Sequence, residues 1–165
     1  MQQSKINKQT IVSLIITALK QELNQAINAA NEAHAAAVDD QSVAETQYDT
    51  LAIEASYLAE GQSRRVDELH EALKNYQALN LLNFNENRPI GLTALVQLSK
   101  DIQKHHWFFI GPAAGGFRCE LLARKITVIT PYSPMGLALL GKSQDDEVDI
   151  KLGNNQLSDY IAMIQ

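Results

Sequence analysis

Apolar residues recur at steps of three and four over residues 8–80, the spacing of one face of a helix. The first arm of this pattern comprises Val12, Ile15, Leu19, Leu23, Ala26, Ala30, Ala33 and Ala37, and the second comprises Tyr48, Leu51, Ala55, Leu58, Leu69, Ala72, Tyr76 and Leu79. Gln62 and Arg65 interrupt the second arm, and Val66 continues it. A repeat of about 3.5 residues on two arms is typical of two-stranded coiled coils. The pattern predicts an antiparallel coiled-coil hairpin over residues 8–80.

Residues 38–43, Val-Asp-Asp-Gln-Ser-Val, separate the two arms. Aspartate and serine favour loops and helix N-caps, and Ser42 followed by Glu45 is typical of a capping box. The sequence therefore predicts the hairpin loop near Asp39 to Ser42. The alternative is one continuous helix, which would leave two apolar seams without partners.

Glycine and proline divide the chain, because all four prolines and seven of the eight glycines lie beyond residue 88. Apolar runs with strand-like alternation follow, at 107–110, 125–130, 147–152 and 157–164. Residues 133–142 begin with Ser-Pro and end with Gly-Lys, which indicates a short helix. Four or five strands with one helix predict a β-rich domain over residues 88–165, and an α+β protein as a whole.

The composition restricts the partners and the compartment. A net charge of −5 argues against duplex DNA as a partner, because DNA binding needs a basic face. The single cysteine, Cys119, excludes an intrachain disulfide and fits a reducing cytoplasm. The apolar run from Ile11 to Leu19 is too short to span a membrane. We expect a cytoplasmic monomer without a membrane anchor.

Acidic residues are concentrated in the hairpin. No lysine or arginine lies between Lys20 and Arg64, whereas eight acids lie there: Glu22, Glu32, Asp39, Asp40, Glu45, Asp49, Glu54 and Glu60. An ordinary solvated face would mix both signs to form pairs along the helix. Carboxylates gathered at a tip can instead supply oxygen ligands to a hard cation such as Mg²⁺. The candidate ligands are Asp40 and Glu45, with Asp39 as a substitute.

The remaining polar residues predict no enzyme chemistry of the chain's own. His105 and His106 are adjacent, so on a strand they would point to opposite faces and could not share a metal ion. The glycine-rich stretch 111–116 lacks the Gly-Lys-Ser/Thr ending of a phosphate-binding loop. No nucleophile–base arrangement is apparent.

One segment carries a family resemblance. Residues 130–142, Thr-Pro-Tyr-Ser-Pro-Met-Gly-Leu-Ala-Leu-Leu-Gly-Lys, with Asp-Asp-Glu-Val at 145–148, resemble the C-terminal domain of the bacterial Gre transcription elongation (transcript-cleavage) factors, GreA and GreB. Glu60-Gly61 followed by Arg64 resembles the second arm of that family's hairpin. The length, the order of the two parts and the acidic tip agree with the same family.

The resemblance implies an FKBP-like C-terminal domain that binds RNA polymerase through Tyr132, Ser133, Pro134 and Met135. It also implies that the coiled coil enters the secondary channel of the polymerase. There Asp40 and Glu45 would help to hold a Mg²⁺ ion shared with the polymerase active site, which cleaves the backtracked transcript. Such a factor has no cofactor of its own and is not itself an enzyme.

Two alternatives remain open at this stage. Gln47 precedes Tyr48 where the family has glutamate, and no alignment places an acid at the family's first tip aspartate. This difference favours a Gre-like channel binder that modulates or inhibits polymerase without promoting cleavage. The other alternative is an FKBP-like adaptor or isomerase, which needs an aromatic pocket. Trp107, Phe108 and Phe109 are consecutive, so they cannot all face one cavity.

Overall fold

The structure is a computed structural model that describes residues 4–43 and 50–165, with the backbone alone at 39–43, 50–52 and 55. Two long helices come first, α1 (Lys8–Val43) and α2 (Thr50–Gln77). The second part contains β1 (Leu95–Leu98), a 3₁₀ turn (Ser99–Asp101), β2 (His106–Ile110), β3 (Arg118–Leu121), β4 (Arg124–Ile129), α3 (Pro134–Leu139), β5 (Glu147–Leu152) and β6 (Asn155–Ile164). Two helices followed by a sheet confirm the predicted α+β class.

The buried face of α1 follows the predicted repeat. Every predicted position of the first arm is buried except Ala30, which is half-buried. Side chains beyond Leu23 on this face are alanines, so they let a neighbouring helix approach closely. The arm thus uses small residues towards its end and larger ones near its start.

The buried face of α2 differs from the predicted one. It comprises Ala59, Gln62, Val66, Leu69, Leu73 and Tyr76, at alternating steps of three and four. Leu58 is 56% exposed, so the prediction that it lies in the seam is wrong. Gln62 belongs to the half-buried face instead of interrupting it. A 2.9 Å ion pair between Arg65 and Glu22 joins the two helices of the hairpin.

The hairpin loop does not begin where the sequence predicted. Helix α1 continues through Asp39, Asp40 and Ser42 to Val43, so the predicted loop and the N-cap at Ser42 are wrong. Each Asp or Ser lowers helix propensity by only about half a kcal/mol, whereas extending an existing helix adds a hydrogen bond per residue. Neither glycine nor proline is present to stop it. Glu45 and Tyr48 lie outside the described residues.

The contacts divide the chain into two compact units. One comprises Met1–Ile15 with Asn75–Gln165, and the other comprises Ile16–Lys74. The first turns of α1 therefore belong to the same unit as the sheet. Among the described residues, no helix has the length and apolar character needed to cross a membrane.

The six strands form one sheet in the order β3-β4-β2-β1-β6-β5. Strands β2 and β4 are parallel, and the other neighbours are antiparallel. Phe108 and Ile110 pack on one face with Val96, Leu139 and other members of the main core. Trp107 and Phe109 alternate with them and are also buried, so β2 is covered on both faces. This explains its continuous apolar sequence.

Strand β3 was missing from the prediction. Its sequence, Arg-Cys-Glu-Leu, is short and half charged, and its burial alternates between exposed and half-buried. The strand exists because it pairs along β4, from Arg118 opposite Thr127 to Leu121 opposite Arg124. Such pairing stabilises a strand whose own propensity is weak.

A buried lysine ties the start of α1 to the sheet unit. The ammonium group of Lys8 donates to the carbonyl oxygens of Leu82 (2.5 Å), Thr93 (3.0 Å) and Gln165 (3.2 Å). It also lies 5.0 Å from the centre of the Phe84 ring, a cation–π distance. Burial, together with the nearby positive charges of Lys5 and Arg88, lowers the pKa of Lys8 from 10.5 to about 8. Three backbone oxygens and the Phe84 ring therefore surround the ammonium group.

Candidate functional site

The segment that resembles the Gre family forms a capped turn and the short helix α3. The Ser133 hydroxyl accepts a hydrogen bond from the Gly136 amide at 3.0 Å and donates to the Thr130 carbonyl at 2.8 Å. Pro134 occupies the first turn of α3, where its missing N–H is not needed. The Ser-Pro pair therefore sets where the helix begins.

Gly136 allows the turn to close against the helix. A Cβ atom at this position would overlap the carbonyl oxygen of Thr130, which is backbone and cannot rotate away. The glycine is therefore required by close approach, because the turn before α3 folds back on the helix. The turn that is packed against the helix in this way carries the exposed Tyr132.

The four predicted polymerase-binding residues divide into two pairs. Tyr132 is 86% exposed and Pro134 is exposed, so both are available to a partner. Ser133 caps the helix, and Met135 packs against the main core. Met135 is half-buried, so only part of its side chain is available to a partner.

Leu137 is an exposed residue that the sequence analysis did not include among the binding residues. It is 66% exposed and lies three residues after Pro134, so both residues share one face of α3. The run Gly-Leu-Ala-Leu-Leu contains three leucines, and sequence alone does not say which one faces outward. Tyr132, Pro134 and Leu137 together form what we call the α3 surface.

An apolar pocket of about 280 Å³ lies beside Met135. Its apolar lining includes Leu98, Phe108, Met135, Ile150, Leu152 and Leu157, and its rim includes Lys100, Asp101, Lys104 and Asp159. Of the three consecutive aromatic residues, only Phe108 lines this pocket. A ring of aromatic side chains is therefore not assembled here from that run.

The predicted metal ligands are only partly described. Asp39 and Asp40 lie near the C-terminal end of α1, which has no basic residue in its last turn. The partial negative charge of a helix C-terminus makes neighbouring carboxylates unfavourable there. Their side chains and the whole of Glu45 lie outside the described residues. Elsewhere in the described part of the chain, no group of three His, Cys, Asp or Glu residues is placed to hold a metal ion.

The described acids along the shaft of the hairpin are exposed, and only some of them form ion pairs. Glu22 pairs with Arg65, and Glu60 lies 3.7 Å from Arg64. Within residues 4–43 and 50–165, neither Glu32 nor Glu54 has an ion pair. The two arginines therefore neutralise part of the shaft, and the segment beyond them keeps its negative charge.

No protein-family model and no curated protein matches this chain. Solved structures with some likeness include GreA factor homolog 1 (Gfh1) of Thermus thermophilus, with 20% identity over 91% of this chain and 94% of that one and a TM-score of 0.37. A structure of the transcription factor Gfh1 covers 90% and 92% at 20% identity and a TM-score of 0.36. Thermus aquaticus Gfh1 covers 90% and 92% at 21% identity and a TM-score of 0.32.

These structures are of a GreA homolog, and GreA is a member of the family that residues 130–142 resemble.

Proposed function

We propose that this chain is a Gre-like transcription elongation factor that binds RNA polymerase. The α3 surface contacts the polymerase, and the acidic end of the hairpin enters the secondary channel. Asp40 and Glu45, with Asp39 as a substitute, then complete the coordination of Mg²⁺ in the polymerase active site. The polymerase uses this metal site to cleave backtracked transcripts. The chain itself performs no catalysis.

The α3 surface is the observation that carries this proposal. Its residues belong to the segment with the family motif, and an exposed tyrosine, proline and leucine lie within six positions of one another. Exposed apolar groups on a rigid, capped turn are typical of residues that anchor an interface. The ordering cost of binding is small, because Ser133 and Gly136 already hold the turn.

The charge of the hairpin supports the second part of the proposal. Asp39 and Asp40 lie at the unfavourable end of α1, and no lysine or arginine lies between Lys20 and Arg64. Repulsion among these carboxylates destabilises the free protein and is relieved beside a cation. The negative charge at this helix end is therefore easier to explain if the protein functions with a cation bound there than if it functions alone.

A second candidate function follows from where α1 ends. Asp39 and Asp40 are helical, whereas the sequence predicted that they lie in the hairpin loop. A tip with acids on a helix can occupy the channel without presenting two carboxylates to one ion. In that case the chain modulates or inhibits polymerase and does not promote cleavage.

Binding is tested with core RNA polymerase and two matched leucine variants. Leu137→Asp changes the α3 surface, whereas Leu122→Asp changes a leucine of nearly equal exposure (67%) in the turn between β3 and β4. We expect Leu137→Asp to weaken binding by about tenfold or more, as for an interface anchor, and Leu122→Asp to leave it unchanged. Equal affinities for all three proteins would reject the α3 surface as the docking site.

Cleavage is tested on a stalled, backtracked elongation complex. Asp40→Asn with Glu45→Gln removes two tip charges, and Glu32→Gln with Glu54→Gln removes two charges from the shaft as a control. We expect the tip variant to bind polymerase normally and lose cleavage, while the shaft variant keeps both. If the wild type binds but never stimulates cleavage over a wide range of Mg²⁺ concentration, the modulator function is correct.

A further inference from the structure

Charge is segregated between the two edges of the sheet. Residues 99–130 contain five basic residues (Lys100, Lys104, Arg118, Arg124 and Lys125) and two acids (Asp101 and Glu120), a net charge of 5 − 2 = +3. Residues 131–165 contain two basic residues and five acids, a net charge of −3. The sheet order places β3, β4 and β2 at one edge and β5 at the other. A protein of net charge −5 therefore has one basic sheet edge.

The side chains at this edge line a cleft of about 370 Å³. Strand pairing sets His106, Lys125 and Glu120 in one row across β2, β4 and β3. Thr127 and Arg118 stand opposite each other in the next row on the same face. Three neighbouring strands thus place two cations, an imidazole and a hydroxyl around one depression. We call it the β-edge cleft.

The two cationic side chains of the β-edge cleft make no polar contact that would stabilise the fold among the described residues. Arg118 and Lys125 are exposed, and among the described residues neither forms a hydrogen bond through its side chain or an ion pair. Glu120 lies directly opposite Lys125 in the β3–β4 pair, yet the two side chains form no ion pair. Lys104, by contrast, is paired with Asp101 at 3.5 Å. Arg118 and Lys125 are therefore free to bind an outside anion.

The polar groups beside the cations complete the site. His106 Nε2 lies 2.8 Å from Thr127 Oγ1, so one of these groups donates to the other and Thr127 is held in place. Burial lowers the pKa of His106, Asp101 opposes this shift, and Arg118, Lys104 and Lys125 add to it. The imidazole is consequently neutral near pH 7. The positive charges close to the ring contribute to this lowering of its pKa. An anion placed between them would raise that pKa again.

We infer that the β-edge cleft binds the phosphate group of a small ligand, such as a nucleotide. Arginine recognises phosphate through paired N–H groups, lysine adds a compact charge, and a threonine hydroxyl can donate to a phosphate oxygen. The volume lies near the lower end of the range for small-molecule sites, roughly 300–1,000 Å³. Glu120 limits the charge of the lining residues to +1 while His106 is neutral, which suits one phosphoryl group better than an extended polyanion.

The experiment is a titration of the full chain with inorganic phosphate, followed by ¹H–¹⁵N NMR. We expect saturable shifts at residues 106, 118, 125 and 127, and an upward shift in the pKa of the His106 ring. His105, exposed and one residue earlier, serves as an internal reference whose amide signal should move little on addition of phosphate. The protein is used without polymerase, so the outcome is independent of the proposed transcription function.

Two double variants, each of which loses two positive charges, distinguish phosphate binding at the β-edge cleft from nonspecific attraction of phosphate to the positive charges of the protein. Arg118→Gln with Lys125→Gln should weaken phosphate binding by about a hundredfold, roughly tenfold for each lost charge-assisted contact. Lys74→Gln with Lys151→Gln removes two exposed charges elsewhere and should leave binding unchanged. Trp107 fluorescence should show that both variants remain folded, because none of these four side chains is buried.

Further probes distinguish the source of the phosphate. A nucleoside diphosphate that binds more tightly than inorganic phosphate, with the same dependence on Arg118 and Lys125, supports a nucleotide ligand. Tighter binding of a short single-stranded RNA than of either small ligand would overturn the inference of a small ligand, because RNA is an extended polyanion. The inference is overturned if phosphate produces no saturable shifts, or if both double variants lose binding equally.

Discussion

The buried ammonium of Lys8 makes the stability of the sheet unit depend on pH. The folded protein lowers the pKa of Lys8 to about 8 from 10.5 in the unfolded chain. The folded state therefore binds fewer protons than the unfolded state between these values, and stability must rise with pH in that window. The stabilisation is complete above pH 10.5 and is lost as pH falls through about 8.

The size of this effect follows from the same two pKa values. The linkage relation gives a rise in the free energy of unfolding of about 2 kcal/mol between roughly pH 7 and pH 9.5. The three carbonyl oxygens that accept from Lys8 favour the charged form, so this is the largest rise to expect. Lys8→Met should not show it, because methionine keeps the chain length and carries no proton.

The assay is urea denaturation at several pH values, followed by fluorescence. Trp107 is the single tryptophan and is 1% exposed in the same unit as Lys8, so its emission reports this unit and not the hairpin. Lys20→Met, an exposed substitution on α1, is the matched control and should keep the wild-type pH dependence. Burial raises the pKa of Tyr76, but this effect is common to all three proteins and cancels. If wild type and Lys8→Met differ by a constant amount across this pH range, Lys8 does not titrate there and the reasoning is refuted.

Three further predictions concern packing and hydrogen bonding. Leu69→Ala should destabilise the hairpin by about 2–4 kcal/mol because Leu69 is buried, whereas Leu58→Ala at an exposed position should cost about half a kcal/mol or less. Urea denaturation followed by helical circular dichroism measures both losses of stability. Equal losses would contradict the buried face of α2 described above. Tyr76→Phe removes the 2.6 Å hydrogen bond from the hydroxyl to the Ala113 carbonyl and should cost about 1 kcal/mol by Trp107 fluorescence; unchanged stability would mean that water satisfies that carbonyl in the variant. Gly136→Ala should cost about 1–3 kcal/mol and move Tyr132, which would appear as reduced polymerase binding; unchanged stability would mean that the turn shifts freely.

Local patterns in the sequence were sufficient for much of the fold. The seam of α1 could be predicted because its side chains are buried by a neighbouring helix at regular steps of three and four. Strands β2, β4, β5 and β6 and the helix α3 could be predicted because each is apolar, alternating or capped within its own residues. Each of these elements is therefore determined by residues that lie within a few positions of one another along the chain.

Other features depended on partners that are distant along the chain. Strand β3 is a strand because β4 lies beside it, and Lys8 is buried because carbonyl groups 74 to 157 residues away converge on its ammonium group. The end of α1 was misplaced because Asp39 and Ser42 have loop-like preferences that are weaker than continued helix growth.

The candidate sites divide in the same way. The motif from Thr130 to Lys142 and the acidic composition of the hairpin are visible in the sequence, since both lie within continuous stretches. Only the tertiary structure showed that Leu137 faces outward while Met135 packs inward, because that choice depends on which face of α3 meets the sheet. The β-edge cleft has no signature in the sequence, since strand pairing alone brings His106, Arg118 and Lys125 together. Arg118 and Lys125 join His106 in one site only because hydrogen bonds between the strands fix their register.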